Sequence, residues 1–275
     1  MIEIPESVNY SKQLNKTLKG RKITSVEAAH SPHKFTWYHG EPADYPSLLS
    51  GRRFGESLPF GSMVEVDLDG VKLVFTEGTN LTFHPPGSRL PAKHQLLLGF
   101  DEDSALTVSV QMYGGIFAFR EGEFDNPYYL SAREKPSPLS DTFSFPYFRG
   151  IFLQENADKL SAKALLATEQ RIPGLGNGVL QDILYNAFVH PKRKVSELSD
   201  EQMNDLFDSI KHTLSEMVAL GGRDTEKDLF GNPGGYPTKC SRNTVGKPCG
   251  CCGAKIQKAS YMGGAIYFCP VCQPL

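Results

Sequence analysis

Between Ile23 and Phe119, apolar and polar residues alternate in short runs punctuated by Gly, Pro and Asp. The clearest are Met63-Val64-Glu65-Val66-Asp67-Leu68, Lys72-Leu73-Val74-Phe75, the run from Gln95 to Phe100 and the run from Ala105 to Gln111. A period near two with frequent turn residues predicts a β-sandwich or barrel rather than alternating βαβ units. Ahead of it, residues 2–18 read as a strand fragment, then Pro5 and an amphipathic helix carrying Val8, Leu14 and Leu18. Over 126–146 the pattern dissolves around Pro127, Pro136, Pro138 and Pro146, which predicts a linker. Beyond it the period becomes helical over Lys159 to Gln170, Gly178 to Phe188 and Asp200 to Leu220. Ser199 and Gln202 form the capping box of the last helix, and Gly221-Gly222 ends it. The predicted class is α+β, with an N-terminal β-sandwich and its flanking helix followed by a helical unit and a cysteine-rich end.

Composition changes this picture little. The 40% hydrophobic content of the 275 residues is that of an ordinary globular chain. No run reaches the roughly 18 to 20 apolar residues that span a bilayer, and the start lacks an export signal, so a cytoplasmic protein without a membrane partner is expected. The net charge of −2 argues neither for nor against a nucleic-acid partner, but its distribution does. From Gly231 onward there are Lys239, Arg242, Lys247, Lys255 and Lys258 and no acid, and a second acid-free run holds His190, Lys192, Arg193 and Lys194. Clustered charge of one sign can form a phosphate-binding face on a nearly neutral protein, although a solvated surface explains the second run equally well.

All six cysteines lie between Cys240 and Cys272. Two Cys-x-x-Cys knuckles, Cys249 with Cys252 and Cys269 with Cys272, supply four thiolates at the spacing of a tetrahedral zinc site. With every position filled by sulfur, one structural Zn2+ is predicted, holding a hairpin too small to fold by burial alone. Cys251 could replace Cys252 in a shifted register, and Cys240 lies outside the motif.

The remaining local signal is Pro173-Gly-Leu-Gly-Asn177-Gly-Val-Leu, where Gly174 and Gly176 allow a tight turn and the following helix presents free amides to an anion. With Gln181 to Leu184, Pro191 and Gly221-Gly222, this segment resembles the helix-two-turn-helix region of the formamidopyrimidine-DNA glycosylase and endonuclease VIII family. The end Tyr267-Phe-Cys-Pro-Val-Cys-Gln273 resembles that family's zinc finger, and Met1-Ile2-Glu3-Ile4-Pro5-Glu6 resembles its N-terminal motif. The resemblance implies a base-excision repair scaffold divided into a glycosylase-like β-sandwich over 1–125, a linker over 126–146, a helix-two-turn-helix domain over 147–235 and a zinc finger over 236–275. It implies double-stranded DNA as partner of a monomer, with Asn177 donating to a phosphate beside Gly176, and Lys255 and Lys258 adding charge.

The same resemblance shows what is missing. Family members use a Pro at position 2 as nucleophile; here it is Ile2, so the free amine would be that of Met1, displaced by one residue of chain. Glu3 is retained and could act as a general acid or base, or simply oppose a helix dipole. The family's hairpin Lys, matched through Arg52-Arg53-Phe54-Gly55, becomes Glu56, a reversed charge that should repel DNA. The loop that inserts Arg and Phe into the base stack reads Gln111-Met112-Tyr113-Gly114-Gly115, leaving Met112 or Tyr113 as wedges, and the zinc-finger Arg is Gly264. Three readings follow: a binder of damaged or distorted DNA whose glycosylase and lyase chemistry is lost or altered; an active glycosylase/AP lyase using Glu3 with water or the Met1 amine; and a protein-binding surface on the zinc hairpin and the Gly-rich loop 223–236.

Overall fold

In the computed structural model, which describes Met1–Leu275, helix α1 runs Ile4–Leu18 with Pro5 in its first turn, where a missing N–H costs no intrahelical bond. The strand expected ahead of it is absent. Glu3 is instead the N-cap, its backbone N–H donating to Glu6 Oε2 at 3.1 Å. The sandwich follows: β1 (Ile23–Ala28), β2 (Thr36–Tyr38), helix α2 (Tyr45–Leu49), β3 (Ser57–Phe60), β4 (Met63–Leu68), β5 (Val71–Phe75), β6 (Thr79–His84), β7 (Leu96–Phe100), β8 (Ala105–Val110) and β9 (Gly114–Arg120). One sheet has the order β2-β9-β5-β4-β3 and the other β1-β7-β8-β6, with β2 and β9 the one parallel pair. Val64, Val66, Leu68, Leu73 and Phe75 from one sheet share a core with Leu96, Leu98, Leu106 and Val108 from the other, closed by Tyr10, Leu14 and Leu18 of α1.

The stretch 126–146 is more ordered than its prolines suggested. Pro127 starts helix α3 (Pro127–Glu134) behind the N-cap Asn126, whose Oδ1 accepts from the amides of Tyr128 (3.0 Å) and Tyr129 (3.2 Å). Proline at a helix start is pre-organised rather than disruptive. Helix α3 covers the outer face of β4, where buried Glu65 accepts from Tyr129 Oη at 2.5 Å and Arg133 Nη1 at 2.9 Å.

The helical unit comprises α4 (Phe145–Phe152), α5 (Ala162–Ala167), α6 (Asn177–Asn186) and α7 (Asp200–Ala219) around Phe148, Leu165, Leu180, Ile183, Ile210, Leu214 and Met217. The capping box at Ser199 and Gln202 forms as predicted, whereas α5 is shorter than its apolar pattern at both ends: it starts behind the N-cap Ser161 and stops where Thr168 turns extended, ahead of the positive φ of Glu169 and Gln170. Ile2 is buried in the sandwich core and Ile4 in the helical core, so α1's entry ties the two. The chain after α7 returns to the sandwich, placing Leu229 in its core with its carbonyl accepting from Phe83 N at 2.8 Å. The chain ends in the hairpin β10 (Gln257–Tyr261) and β11 (Gly264–Phe268), turned by Met262 and Gly263 at φ 52° and 70°. It is anchored on α6 by Tyr267 N donating to Gln181 Oε1 at 3.0 Å.

Candidate functional site

The glycine-rich loop packs more tightly than a turn requires. Gly174 has φ +79°, and a Cβ there would overlap the backbone of Gly61 and Ser62 in the β3–β4 turn. A Cβ on Gly176 would stand 2.6 Å from Glu3 Oε1, and one on Gly178 would overlap the Arg223 guanidinium. Gly174 therefore makes room for the β3–β4 turn, and Gly176 and Gly178 for Glu3 and its partner Arg223.

Glu3 explains why. Its Oε1 accepts from Gly178 N at 2.9 Å and its Oε2 from Val179 N at 2.7 Å, with Arg223 Nη1 at 3.3 Å. The helix N-terminus expected to receive an external phosphate is thus occupied by an internal carboxylate, a favourable placement against the helix dipole. Arg223 also donates to Glu6 through Nη2 (2.7 Å) and Nε (3.0 Å), and all three side chains are buried. Burial pushes the Glu3 carboxyl above the ordinary carboxylate range, with Arg223 and the two amides opposing it. Burial also acts against the Arg223 charge, which Glu3 and Glu6 more than restore.

Next to this network lies a polar cavity of about 390 Å3 lined by Met1, Glu3, Glu77, Tyr113, Asn177, Arg223 and Glu226 among others. The Met1 ammonium is paired with Glu226. Glu77 was not foreseen from sequence; burial, then the nearby Glu3, raise its pKa, and a hydrogen bond from Tyr113 opposes the rise. Strand alternation gave it no distinction from any other polar residue after β5.

Asn177 is exposed at the first turn of α6, its Nδ2 donating to Ala265 O at 3.0 Å and its Oδ1 accepting from Gln181 Nε2 at 3.0 Å. It therefore stands where α6 meets the hairpin. Lys255 and Lys258 are exposed on the hairpin and line neither the cavity nor the loop. A closer cation was missed: Lys163 Nζ donates to Tyr261 O at 3.0 Å and would be 3.4 Å from a Cβ on Gly264. Its side chain is buried without a carboxylate partner, and burial lowers its pKa. Met112 is 62% exposed at the β8–β9 turn, while Tyr113 folds back against Trp37 with ring centroids 6.2 Å apart.

The match through Arg52-Arg53-Phe54-Gly55 fails in three dimensions. Glu56 is a surface residue 3.7 Å from Lys19, and Arg52 and Arg53 donate to the carbonyls of Asp69 and Gly20. The hairpin that reaches the glycine loop is β3–β4, and Gly61 and Ser62 at its turn carry no charge of either sign. The proposed repulsion of DNA by Glu56 therefore does not arise at this cavity.

The sulfurs of Cys249, Cys252, Cys269 and Cys272 lie within 4.8 Å of one another, with Cys249 to Cys272 at 3.8 Å and Cys252 to Cys269 at 3.4 Å. Tetrahedral Zn–S bonds of about 2.3 Å require sulfur separations of roughly 3.8 Å, so the four fit a metal of that size. Donors already face the sulfurs: Tyr185 Oη lies 3.1 Å from Cys249, and the amides of Cys251 and Cys272 lie 3.4 Å from Cys249 and Cys269. Cys251 stays outside the cluster, 3.4 Å from Tyr185 Oη.

Residues 135–228 match the model of the formamidopyrimidine-DNA glycosylase H2TH domain. The formamidopyrimidine-DNA glycosylase of Thermus thermophilus is 30% identical over 99% of this chain and 98% of its own, and that of Lactococcus lactis 27% over 99% of both. Among solved structures, the MutM (Fpg) protein of Thermus thermophilus superposes with a TM-score of 0.81 at 26% identity, covering 98% of each chain. The Lactococcus lactis Fpg in complex with abasic-site DNA shares the fold at a TM-score of 0.83 and 23% identity, over 99% of this chain and 100% of that one. Because the identity is sustained from end to end rather than confined to one module, the whole chain belongs to the formamidopyrimidine-DNA glycosylase family.

Proposed function

We propose that this protein binds double-stranded DNA that is damaged or distorted, along the face where Asn177 meets the hairpin, with the family's usual glycosylase and lyase chemistry lost or altered. The observation that carries this reading is the engagement of both candidate reactive groups: the Met1 ammonium pairs with Glu226, and the Glu3 carboxylate is held by two amides and Arg223. An amine must be free and unprotonated to attack a sugar carbon, and a carboxylate bound on both oxygens is a poor proton shuttle. Gly176 leaves room for Glu3, Asn177 is exposed at the start of α6 with buried Lys163 near it across Gly264, and Lys255 and Lys258 add charge at longer range. Cys249, Cys252, Cys269 and Cys272 would hold one Zn2+, which when bound supplies structural closure of the hairpin. The family relationship and a relative solved with abasic-site DNA support the partner.

Glu77 favours a second reading. A carboxyl whose pKa is raised by burial, beside Tyr113 and in the same cavity as Met1, is placed to protonate a departing base while water or the Met1 amine takes the sugar carbon. Borohydride reduction of the protein mixed with a duplex containing one abasic site separates the two. The expected result is no covalent adduct, together with salt-sensitive binding that favours the abasic duplex over an intact one. A trapped adduct would put the amine reaction first, and equal affinity for both duplexes would remove damage recognition.

A further inference from the structure

In the sheet β1-β7-β8-β6, Glu27, His30 and His94 each bring a ligand atom to within 4.8 Å of the other two. Glu27 lies on β1, and Ala29 at φ 54° turns the chain so that His30, three residues on, meets the same carboxylate. His94 precedes β7, the strand paired with β1, and its carbonyl accepts from Ser31 N at 3.0 Å. Glu27 Oε1 lies 2.7 Å from His30 Nδ1 and Oε2 3.0 Å from His94 Nε2. The two imidazoles stack with centroids 4.6 Å apart, 9° from parallel. None of the three residues lines the polar cavity.

The polar contacts of His94 show what this arrangement lacks. Its Nδ1 lies 3.3 Å from Pro91 O, which can only accept, so this nitrogen carries a proton. In the neutral ring Nε2 is then an acceptor, and it faces a carboxylate oxygen, a second acceptor. A positive charge must stand between them. A proton is one such charge; a divalent cation is the other, and it alone engages all three side chains at once. A backbone carbonyl holding the far nitrogen of a ligating histidine is also the usual outer support of a metal site. We infer that Glu27, His30 and His94 form a second metal site, which takes a divalent transition ion of the zinc, cobalt or nickel class through two imidazole nitrogens and one carboxylate. Two nitrogen donors disfavour Mg2+ and Ca2+, which select oxygen. Ligands about 2.1 Å from a tetrahedral ion stand about 3.4 Å apart. The side chains of Glu27 and His30, 49% and 45% exposed, can draw in to that spacing around His94, which is 6% exposed and fixed. His30 lines a cleft of about 600 Å3 together with His33 and Ser109, so water can take the remaining positions. With three ligands, two of them on exposed side chains, the site gives up its ion on dialysis, unlike the four-cysteine cluster.

Co2+ titrated into the zinc-loaded protein at neutral pH tests the site, because imidazole and carboxylate ligands give visible d–d bands without the near-ultraviolet charge transfer of thiolates. One Co2+ per chain is expected to bind in this way, and Mg2+ should not compete. Glu27→Gln and His30→Ala should each weaken the binding by at least about tenfold, the smallest loss typical of even an outer-shell partner. Both residues are half in solvent, so without added metal the variants should unfold close to the wild-type midpoint, and Co2+ should raise the midpoint of wild type alone. If the shared charge is a proton, no visible bands appear, and that result overturns the site. So would undiminished Co2+ affinity in either variant, or bands accompanied by thiolate charge transfer, which place the ion on the cysteines.

Discussion

Replacing Glu3 by Gln tests whether that carboxylate is part of the framework rather than a free acid. Glu3, Glu6 and Arg223 are 4%, 4% and 2% exposed, so each charge depends on the others for compensation. In Glu3→Gln the guanidinium keeps both of its bonds to Glu6, and one amide of α6 faces an NH2 group instead of an acceptor. An unsatisfied buried donor and a weakened ion pair together cost about 2 kcal/mol, which for a chain of this size lowers the midpoint of thermal unfolding by roughly 4–8 °C. Arg223→Met is worse, since it leaves two buried carboxylates facing each other, at a cost of about 5 kcal/mol. In the Glu3→Gln background only Glu6 remains unpaired, so the same Arg223→Met change should cost about 2 kcal/mol less, a coupling typical of contacting buried charges. Urea unfolding followed by Trp37 fluorescence and far-ultraviolet circular dichroism would give the four midpoints of the cycle. A Glu3→Gln protein that unfolds at the wild-type midpoint, or strictly additive changes, would refute the network.

Three further outcomes are expected. Metal analysis should find one zinc per chain; Cys252→Ser should lose it and Cys251→Ser should keep it, because only the first belongs to the four-sulfur cluster, and removing the zinc should melt the hairpin while the strand signal of the sandwich persists. Burial pushes the Asp182 carboxyl up to about 6 from 3.8; between those values the folded protein holds a proton that the unfolded chain has released, so stability falls as pH rises through the window, by about 3 kcal/mol in all, and the difference in urea midpoint between wild type and Asp182→Asn should change across pH 4 to 6 and then level off. Gly174→Ala combines a left-handed backbone with overlap against Gly61 and Ser62, and should destabilise by about 3 kcal/mol, measurable as a shift in the thermal midpoint; an unshifted midpoint would mean that the β3–β4 turn gives way easily.

Local patterns in the sequence revealed those parts of the protein whose physics is local. The capping box at Ser199 and Gln202 is decided within four residues, and the zinc knuckles need only their own spacing and a short hairpin between them. Strand alternation gave β4 and β5 but could not show that Glu65, a polar position on the outward face, would be buried by α3. The candidate site is assembled across far longer separations. Glu3 meets the amides of Gly178 and Val179, and Arg223 meets Glu6, so no window of sequence contains the network. Glu77 and Lys163 become notable only through burial, which a charged residue in a short segment does not advertise. Glu56 is the opposite case: a four-residue match suggested a place near DNA, and the register of β3 and β4 put a different turn there.

The return of the chain after α7 bears on how this protein could accommodate a duplex. Leu229 is fully buried in the sandwich core, Tyr10 Oη donates to Lys227 O at 3.0 Å, and Gln13 Nε2 donates to Asp228 Oδ2 at 3.0 Å. A hinge motion separating the two units would have to draw that leucine into water, at about 2 kcal/mol before any hydrogen bond is counted. The strap therefore opposes a jaw-like opening between the sandwich and the helices. Under the DNA-binding reading proposed above, the partner would bring the bend itself, and DNA softened by a missing or mispaired base bends at lower cost than an intact helix.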